Sequence, residues 1–377
     1  MSDAVHIAGV GIHPFGRFPD RTVTDLGVAA VRAALDDAGD PRFDAAFCGT
    51  AYAGVAAGHK VLSALARTGM PIVNVEAGCA SGAAALRLGA EAIAAGQHDT
   101  VLVYGIEKMP KGIIRSTFFE PWREEAGLAA TPAYFALRAQ RLQREAGVTD
   151  EQLARVVVKN RRHGVHNPDA MFRKETTVEE VLGSRIVCEP LRLFMLCSPN
   201  EGAAAVVLRR GASGDSAPVR LVGVALRSHL PGSVLGEATP LSGVDDRDIP
   251  PPTTLAARDA YAAAGVEAAD VDVVECQDTD AARELLSYEE LGLCEPGEQG
   301  ALLDGGATTL GGQQPVNPSG GLLSKGEPLG ASALGQVVEL TRQLRGTAGA
   351  RQVDGARVAL AHTVGRGANA SVTILTR

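Results

Sequence analysis

Six cysteines, Cys48, Cys79, Cys188, Cys197, Cys276 and Cys294, are the candidate thiol nucleophiles of this 377-residue chain. One of them lies in a setting that could activate it. In "PIVNVEAGCASGAAAL" (71–86) a β-branched run ends in small residues and passes directly into an alanine-rich stretch. A strand, a glycine turn and a helix starting near Ala80 would hold the Cys79 thiol at a helix N-terminus, where unpaired N–H groups and the positive end of the dipole favour thiolate. Gly78, Ala80, Ser81 and Gly82 leave room for a ligand to approach. The same residues also suit a small buried cysteine in a tight corner, because free Cys packs as a small hydrophobe. The local stretch leaves both readings open.

A second candidate is "NPSGGLLSKGEPLGASALGQ" (317–336), where an Asn-Pro turn and paired glycines lead into a helix. Such a loop either brings backbone close to a ligand, around Asn317, Ser319 and Gly320, or merely needs positive φ. Glu327 supplies a carboxylate in it. A third is "AHTVGRGANA", expected to place His362 and Gly365 at a hairpin bend whose N–H groups could serve an oxyanion or simply face solvent. Two further signals carry little. Pro14 occupies the third glycine position of a would-be G-x-G-x-x-G in "GVGIHPFG", and His163 and His166 have no third ligand nearby. No cysteine pair has zinc-ligand spacing, so no metal is expected.

The elements that must position these groups alternate. "VHIAGVGI", "AAFCGTAY", "PIVNVE" and "DTVLVYGIE" are strands separated by helical stretches, which argues for parallel βαβ units. From about 110 to 185 the texture turns charged and irregular, as an excursion over the sheet. "EGAAAVVLRR" closes the first half and "GASGDSAP" (211–218) reads as a linker. The grammar then repeats, which suggests a duplicated α/β unit with halves at 1–212 and 218–377. Apolar residues make up 45% of the chain and charged ones 21%, a globular balance. A net charge of −8 gives no reason to expect nucleic acid. No apolar run approaches the roughly 18–20 residues of a membrane span, and scattered cysteines without an export signal suggest reduced thiols in the cytoplasm.

Together these stretches resemble the thiolase superfamily, most closely its sterol-carrier-protein-2-type, lipid-transfer-like branch. The resemblance runs through "NVEAGCASGAAA", "GIEKM", "EPLRLFMLCSPNEGAAAVVL", "VDVVECQDTDAARELLSYEELGL", "LGGQQPVNPSGGLLSKGEPLGAS" and "HTVGRGANASVTIL". It implies an α/β thiolase-like fold: two duplicated βαβαβαββ halves in five layers, αβαβα, with an inserted loop domain at 110–185. It also implies dimerisation and a coenzyme A thioester substrate, with no tightly bound cofactor.

Carried over position by position, the resemblance makes Cys79 the acyl-accepting nucleophile. The N–H groups of Cys79 and Gly365 would form the oxyanion hole, and Gln277 would orient a catalytic water. Asn317, Ser319, Gly320 and Thr363 would line the substrate. Glu327 stands where the family's "GHP" motif has histidine. A carboxylate can act as a base but cannot donate when ionised, so a raised pKa is expected to let it carry a proton. Thr363 stands where many thiolases have a second cysteine, and Thr279 replaces the cysteine of "HDCF". The resemblance therefore leaves the second proton to His362 or Glu327.

The implied activity is acyl transfer through an acyl-cysteine, by thiolysis of a β-ketoacyl-CoA or acylation of carbon. The alternatives are a retro-aldolase on a CoA-linked steroid-type side chain and a non-catalytic acyl-CoA-binding subunit. A small zinc-ribbon/OB-fold companion protein is the expected partner.

Overall fold

The computed structural model describes residues 5–112, 121–125, 130–211, 218–230, 249–365 and 369–377. Most of the expected linker 211–218 and the tip of the last hairpin at 366–368 lie outside these residues. The first half runs β1 (Val5–Gly16), α1 (Val23–Asp37), β2 (Ala45–Gly49), α2 (Ala57–Ala64), β3 (Ile72–Val75), α3 (Ser81–Ala94) and β4 (Thr100–Lys108). The excursion follows, with α4 (Pro121–Glu125), α5 (Thr131–Ala146), α6 (Asp150–Gly164), α7 (Val178–Gly183), β5 (Ile186–Cys188) and β6 (Leu191–Arg192), before β7 (Glu201–Arg210). The second half is β8 (Val219–Ser228), α8 (Pro252–Ala264), β9 (Val273–Glu275), α9 (Ala281–Glu290), α10 (Gln299–Asp304), α11 (Gly321–Lys325), α12 (Leu329–Arg345), β10 (Val358–Val364) and β11 (Asn369–Thr376).

Nine strands pair in the order β3-β2-β4-β7-β1-β8-β11-β10-β9. The order is pseudo-symmetric about the β1–β8 pairing. β2 is parallel to β4, and β4 and β1 are antiparallel to β7; likewise β9 is parallel to β10, and β10 and β8 are antiparallel to β11. The counterpart of β3 in the second half has shrunk to one parallel bridge, Val274 to Val316. Among the described residues the βαβαβαββ order is thus complete in the first half and lacks one full strand in the second.

Side-chain alternation along the strands sorts the apolar residues into layers. On β7, Ala203, Ala205 and Val207 pack with Leu26, Ala30 and Val31 of α1 and Val61 and Leu62 of α2. Ala204, Val206 and Leu208 face the other way, onto Leu86 and Ile93 of α3 and Leu334, Val337 and Val338 of α12. The same central cluster takes in Ala359 and Ala361 of β10, whereas Leu360 turns outward to Ala256 and Ala260 of α8 and Leu285 of α9. Helices α3 and α12 are therefore sandwiched between the strands of the two halves, giving five layers.

Among its described residues the excursion is mainly helical. α6 and α7 open on Thr149/Gln152 and Thr177/Glu180 capping boxes, and α5 ends at Gly147 in the left-handed region. Leu153, Val156 and Val157 of α6 join Leu285 and Tyr288 of α9 in one outer cluster.

The central helix pair sets the site. A Cβ on Gly105 of β4 would lie 2.1 Å from the Gly330 carbonyl, so only glycine lets the start of α12 rest on β4. The buried Glu107 carboxylate completes this joint, accepting the N–H groups of Ala51 (2.8 Å), Tyr52 (3.0 Å) and Gly330 (3.1 Å).

Candidate active site

Cys79 and Glu327 occupy matching places in the duplicated architecture: each stands two residues before the first residue of a central helix, Ser81 of α3 and Leu329 of α12. Both positive helix ends converge on the same region of the molecule, a setting that favours anionic species.

The nucleophile turn is locked by its own side chains. Ser81 Oγ accepts the Ala77 N–H (2.9 Å) and donates to the Gly78 carbonyl (2.6 Å), while the Gly78 N–H donates to Glu76 (2.7 Å). Gly78 has φ of +59°, which a side chain would resist. Cys79 is buried within this turn. Gly365, just beyond β10, presses on the same turn: a Cβ there would lie 2.2 Å from the Ala77 carbonyl and 3.1 Å from Ala80 Cβ.

From Gly365 a chain of polar contacts leads to Glu327. Gln277, following β9, accepts the Val364 N–H on Oε1 and donates Nε2–H to Glu327 Oε1 at 2.9 Å. The other carboxylate oxygen accepts from the Cys197 thiol, with Sγ to Oε2 at 3.3 Å. Cys197 belongs to the connection between β6 and β7. The Cys197 N–H donates to the Thr279 carbonyl (2.9 Å), and the Glu327 N–H donates to the Ser198 carbonyl (2.9 Å). Burial, followed by the Glu327 carboxylate and then Asp278 and Cys79, pushes the Cys197 thiol well above its ordinary pKa. Yet Cys197, Ser198 and Pro199 keep partial exposure. The resemblance gave Cys197 no role; the structure places its thiol against Glu327, from a different segment than the Thr363 position. Its own stretch of sequence carries no signal of this contact, because the carboxylate it meets lies 130 positions away.

Gly365, Gln277 and Glu327 thus come together beside the Cys79 turn, with one difference from expectation. The Gly365 N–H donates to the Asn369 carbonyl at 2.5 Å, so in this conformation the hairpin holds the donor assigned to the oxyanion.

His362 points away from them, for a simple reason. β10 continues through to Val364, so alternation turns His362 outward with Leu360. Its Nε2 meets Thr253 Oγ1 on α8 at 3.1 Å, and burial, aided by Arg283, lowers its pKa well below the ordinary value. Thr363 faces the central layer, where it donates to Gln336 of α12 at 2.9 Å.

Asn317, Ser319 and Gly320, expected to line the substrate, pack within the fold. Both side chains are fully buried and bonded inward. Asn317 Nδ2 donates to Glu284 (2.7 Å) and its Oδ1 accepts the Cys276 N–H (3.0 Å). Ser319 bonds Glu275 through both its N–H (2.9 Å) and its hydroxyl (2.6 Å). Gly320 touches the end of α6, where a Cβ would lie 2.7 Å from Gly164 Cα. These residues anchor the Glu327 loop to β9 and α6.

Around them lies a buried polar network that periodicity does not reveal. Lys159 pairs with Glu284 (2.9 Å), Lys325 with Glu275 (3.2 Å), and Asn160 donates to both Asp278 (2.8 Å) and Glu284 (2.6 Å). Asp278 in turn accepts the Leu322 (2.6 Å) and Leu323 (3.1 Å) N–H groups at the start of α11. His163 belongs to this scaffold. Its Nε2 accepts from Leu310 (3.1 Å), so Nδ1 donates to the Asn317 carbonyl (3.0 Å).

Among the described residues no helix is long and apolar enough to cross a membrane. The chain matches the family description "Thiolase, N-terminal domain" over residues 5–212 and "Thiolase C-terminal domain-like" over 244–377. It is 37% identical to an acetyl-CoA acetyltransferase of Methanothermobacter thermautotrophicus, covering 99% of each chain. It is 36% identical to sterol carrier protein 2 of Oryctolagus cuniculus, covering 98% of this chain and 71% of that one. Among solved structures, an Ltp2-ChsH2(DUF35) aldolase superposes with a TM-score of 0.88 at 26% identity, over 99% of this chain and 98% of that one. The chain has the thiolase-like α/β fold and belongs to the thiolase family, in its sterol-carrier-protein-2-type branch.

Proposed function

We propose that this chain is a thiolase-type acyltransferase that takes an acyl group from a CoA thioester onto Cys79. It then passes that group to CoA, in thiolysis of a β-ketoacyl-CoA, or to a carbon nucleophile. The observation that carries this reading is the contact chain Gly365–Val364–Gln277–Glu327, which closes on the Cys79 turn at the N-termini of two central helices. Glu327 accepts the proton that leaves the Cys79 thiol, and both its oxygens are aimed as acceptors at Gln277 and Cys197. Gln277 fixes the orientation of that carboxylate. The helix ends stabilise the thiolate and the oxyanion formed when the thioester carbonyl is attacked. The acetyltransferase relative supports this chemistry. No tightly bound cofactor is needed; the CoA thioester is the substrate.

A second reading, retro-aldol cleavage of a CoA-linked side chain, is favoured by the structural relative described as an aldolase. That chemistry needs no acyl-cysteine. Cys79→Ser separates the two: loss of all turnover supports acyl transfer, and cleavage at the wild-type rate supports the aldolase.

The same relative, whose description joins Ltp2 to ChsH2(DUF35), supports a small companion protein as partner. The chain divides into halves at 1–212 and 218–377, and a cytoplasmic location fits six cysteines that form no disulfide. A homodimer would use β3, the terminal strand of the sheet, on which Val73 is 43% exposed. Such an edge offers unpaired backbone groups to a second copy.

A further inference from the structure

We infer that Cys197 is a second thiol of the reaction, carrying the proton to and from the carbon beside the thioester carbonyl as a pair with Glu327. The inference rests on the thiolase-type reading above and adds a residue to it.

Three observations support it. Cys197 Sγ donates to Glu327 Oε2 at 3.3 Å, on the oxygen that Gln277 leaves open. Its segment is fixed from both sides, by Thr279 and by the parallel bridge of Pro199 to Glu327, so the thiol is held in place. It also keeps partial exposure, and Gln277 links its partner Glu327 to the hairpin that presses on the Cys79 turn. No other cysteine has this position. Cys48 and Cys276 are packed in the two outer apolar clusters, and Cys188 and Cys294 lie at the margin of one of them. A buried thiol beside a carboxylate gives up its proton reluctantly, which suits delivery to a strongly basic carbanion and not spontaneous ionisation.

In the thiolytic direction the steps balance. The Cys79 thiol gives its proton to Glu327, and the thiolate adds to the β-carbonyl carbon. The bond between the α- and β-carbons breaks and its electron pair moves to the α-carbon, which takes the proton of Cys197. The proton on Glu327 then passes across the existing hydrogen bond to the Cys197 thiolate. This leaves acyl-Cys79 and a shortened acyl-CoA. Free CoA next gives its thiol proton to Glu327 and attacks the acyl group; Cys79 departs as thiolate and recovers that proton. In the reverse direction Cys197, deprotonated through Glu327, removes the α-proton of the acceptor.

The test is deuterium incorporation at the α-carbon of acetyl-CoA and propionyl-CoA in D2O, read by mass spectrometry. Wild type, Cys197→Ser and Cys197→Ala are compared, with Cys79 acylation by the same thioesters followed in parallel. Wild type should exchange, and both variants should lose exchange by about 100-fold or more while still acylating Cys79. Serine keeps a donor to Glu327, so it restores a merely structural role but is too weak an acid to restore exchange. Wild-type exchange in Cys197→Ser would overturn the inference. So would absence of exchange in a wild-type enzyme that acylates Cys79. Exchange is read independently of the adduct, so its loss in Cys197→Ser supports Cys197 even where the acyl-cysteine reading itself fails.

Discussion

Gly365→Ala tests the geometry most sharply, because the added atom has nowhere to go. Its Cβ would sit 2.2 Å from the Ala77 carbonyl oxygen, a backbone atom of the nucleophile turn. An ordinary carbon–oxygen approach is about 3.3 Å, so one side must retreat by about 1 Å. The turn is tied by the two Ser81 bonds, and the hairpin by Gln277 and Asn369. Overpacking of this kind costs about 1–3 kcal/mol of stability. A displacement of about 1 Å at the nucleophile costs about 100-fold in rate. The single-turnover rate of Cys79 acylation should therefore fall by about 100-fold in protein that remains folded by calorimetry. Gly183→Ala, whose Cβ would meet nothing within 4 Å, serves as the control and should leave the rate unchanged. A Gly365→Ala enzyme that acylates at the wild-type rate would show that this contact does not position Cys79.

Glu327→Gln keeps the side-chain shape but removes the base, and should lower turnover by about 10²–10⁴-fold with little change in folding, measured by steady-state kinetics. His163 should leave a mark on acid stability. Burial, more than its lysine neighbour, lowers its pKa to about 3, so the fold keeps it neutral while the unfolded chain protonates it below about 6.5. Its contribution is present above that pH and is lost as pH falls toward 3, at up to about 1.4 kcal/mol per pH unit. Urea titrations at pH 7, 6 and 5 should show a shallower decline in His163→Gln than in wild type; equal slopes would contradict the assignment. Val73→Lys on the exposed edge strand should abolish the proposed dimer, read by light scattering as a monomer beside a dimeric wild type, without loss of fold; a monomeric wild type would refute the dimer.

The turn around Cys79 was legible because small residues between a strand and a helix leave few conformations. The duplicated α/β halves followed from the alternation of strands and helices, and the five layers from the resemblance. What stayed hidden depends on distant partners. Cys197 meets a carboxylate 130 positions away, and nothing in its own neighbourhood announces that. His362 was placed at a bend because glycines follow it, yet strand pairing to Val364 carries the backbone on and points the ring outward. Asn317 and Ser319 looked exposed to a ligand because the loop is polar and glycine-rich; their polarity is used against buried Glu284 and Glu275 instead. α6 broke the apolar period for the same reason: Lys159, Asn160 and His163 face inward to the network that supports the Glu327 loop.

The central claim is that Cys79 carries the acyl group. Intact-mass analysis after incubation with a panel of acyl-CoAs, with and without a candidate companion protein, tests it most directly. The account predicts a mass increase equal to the acyl group, mapping to the peptide that contains Cys79 and absent in Cys79→Ser. Folded protein that acquires no adduct under any of these conditions, or acquires one elsewhere, would contradict it.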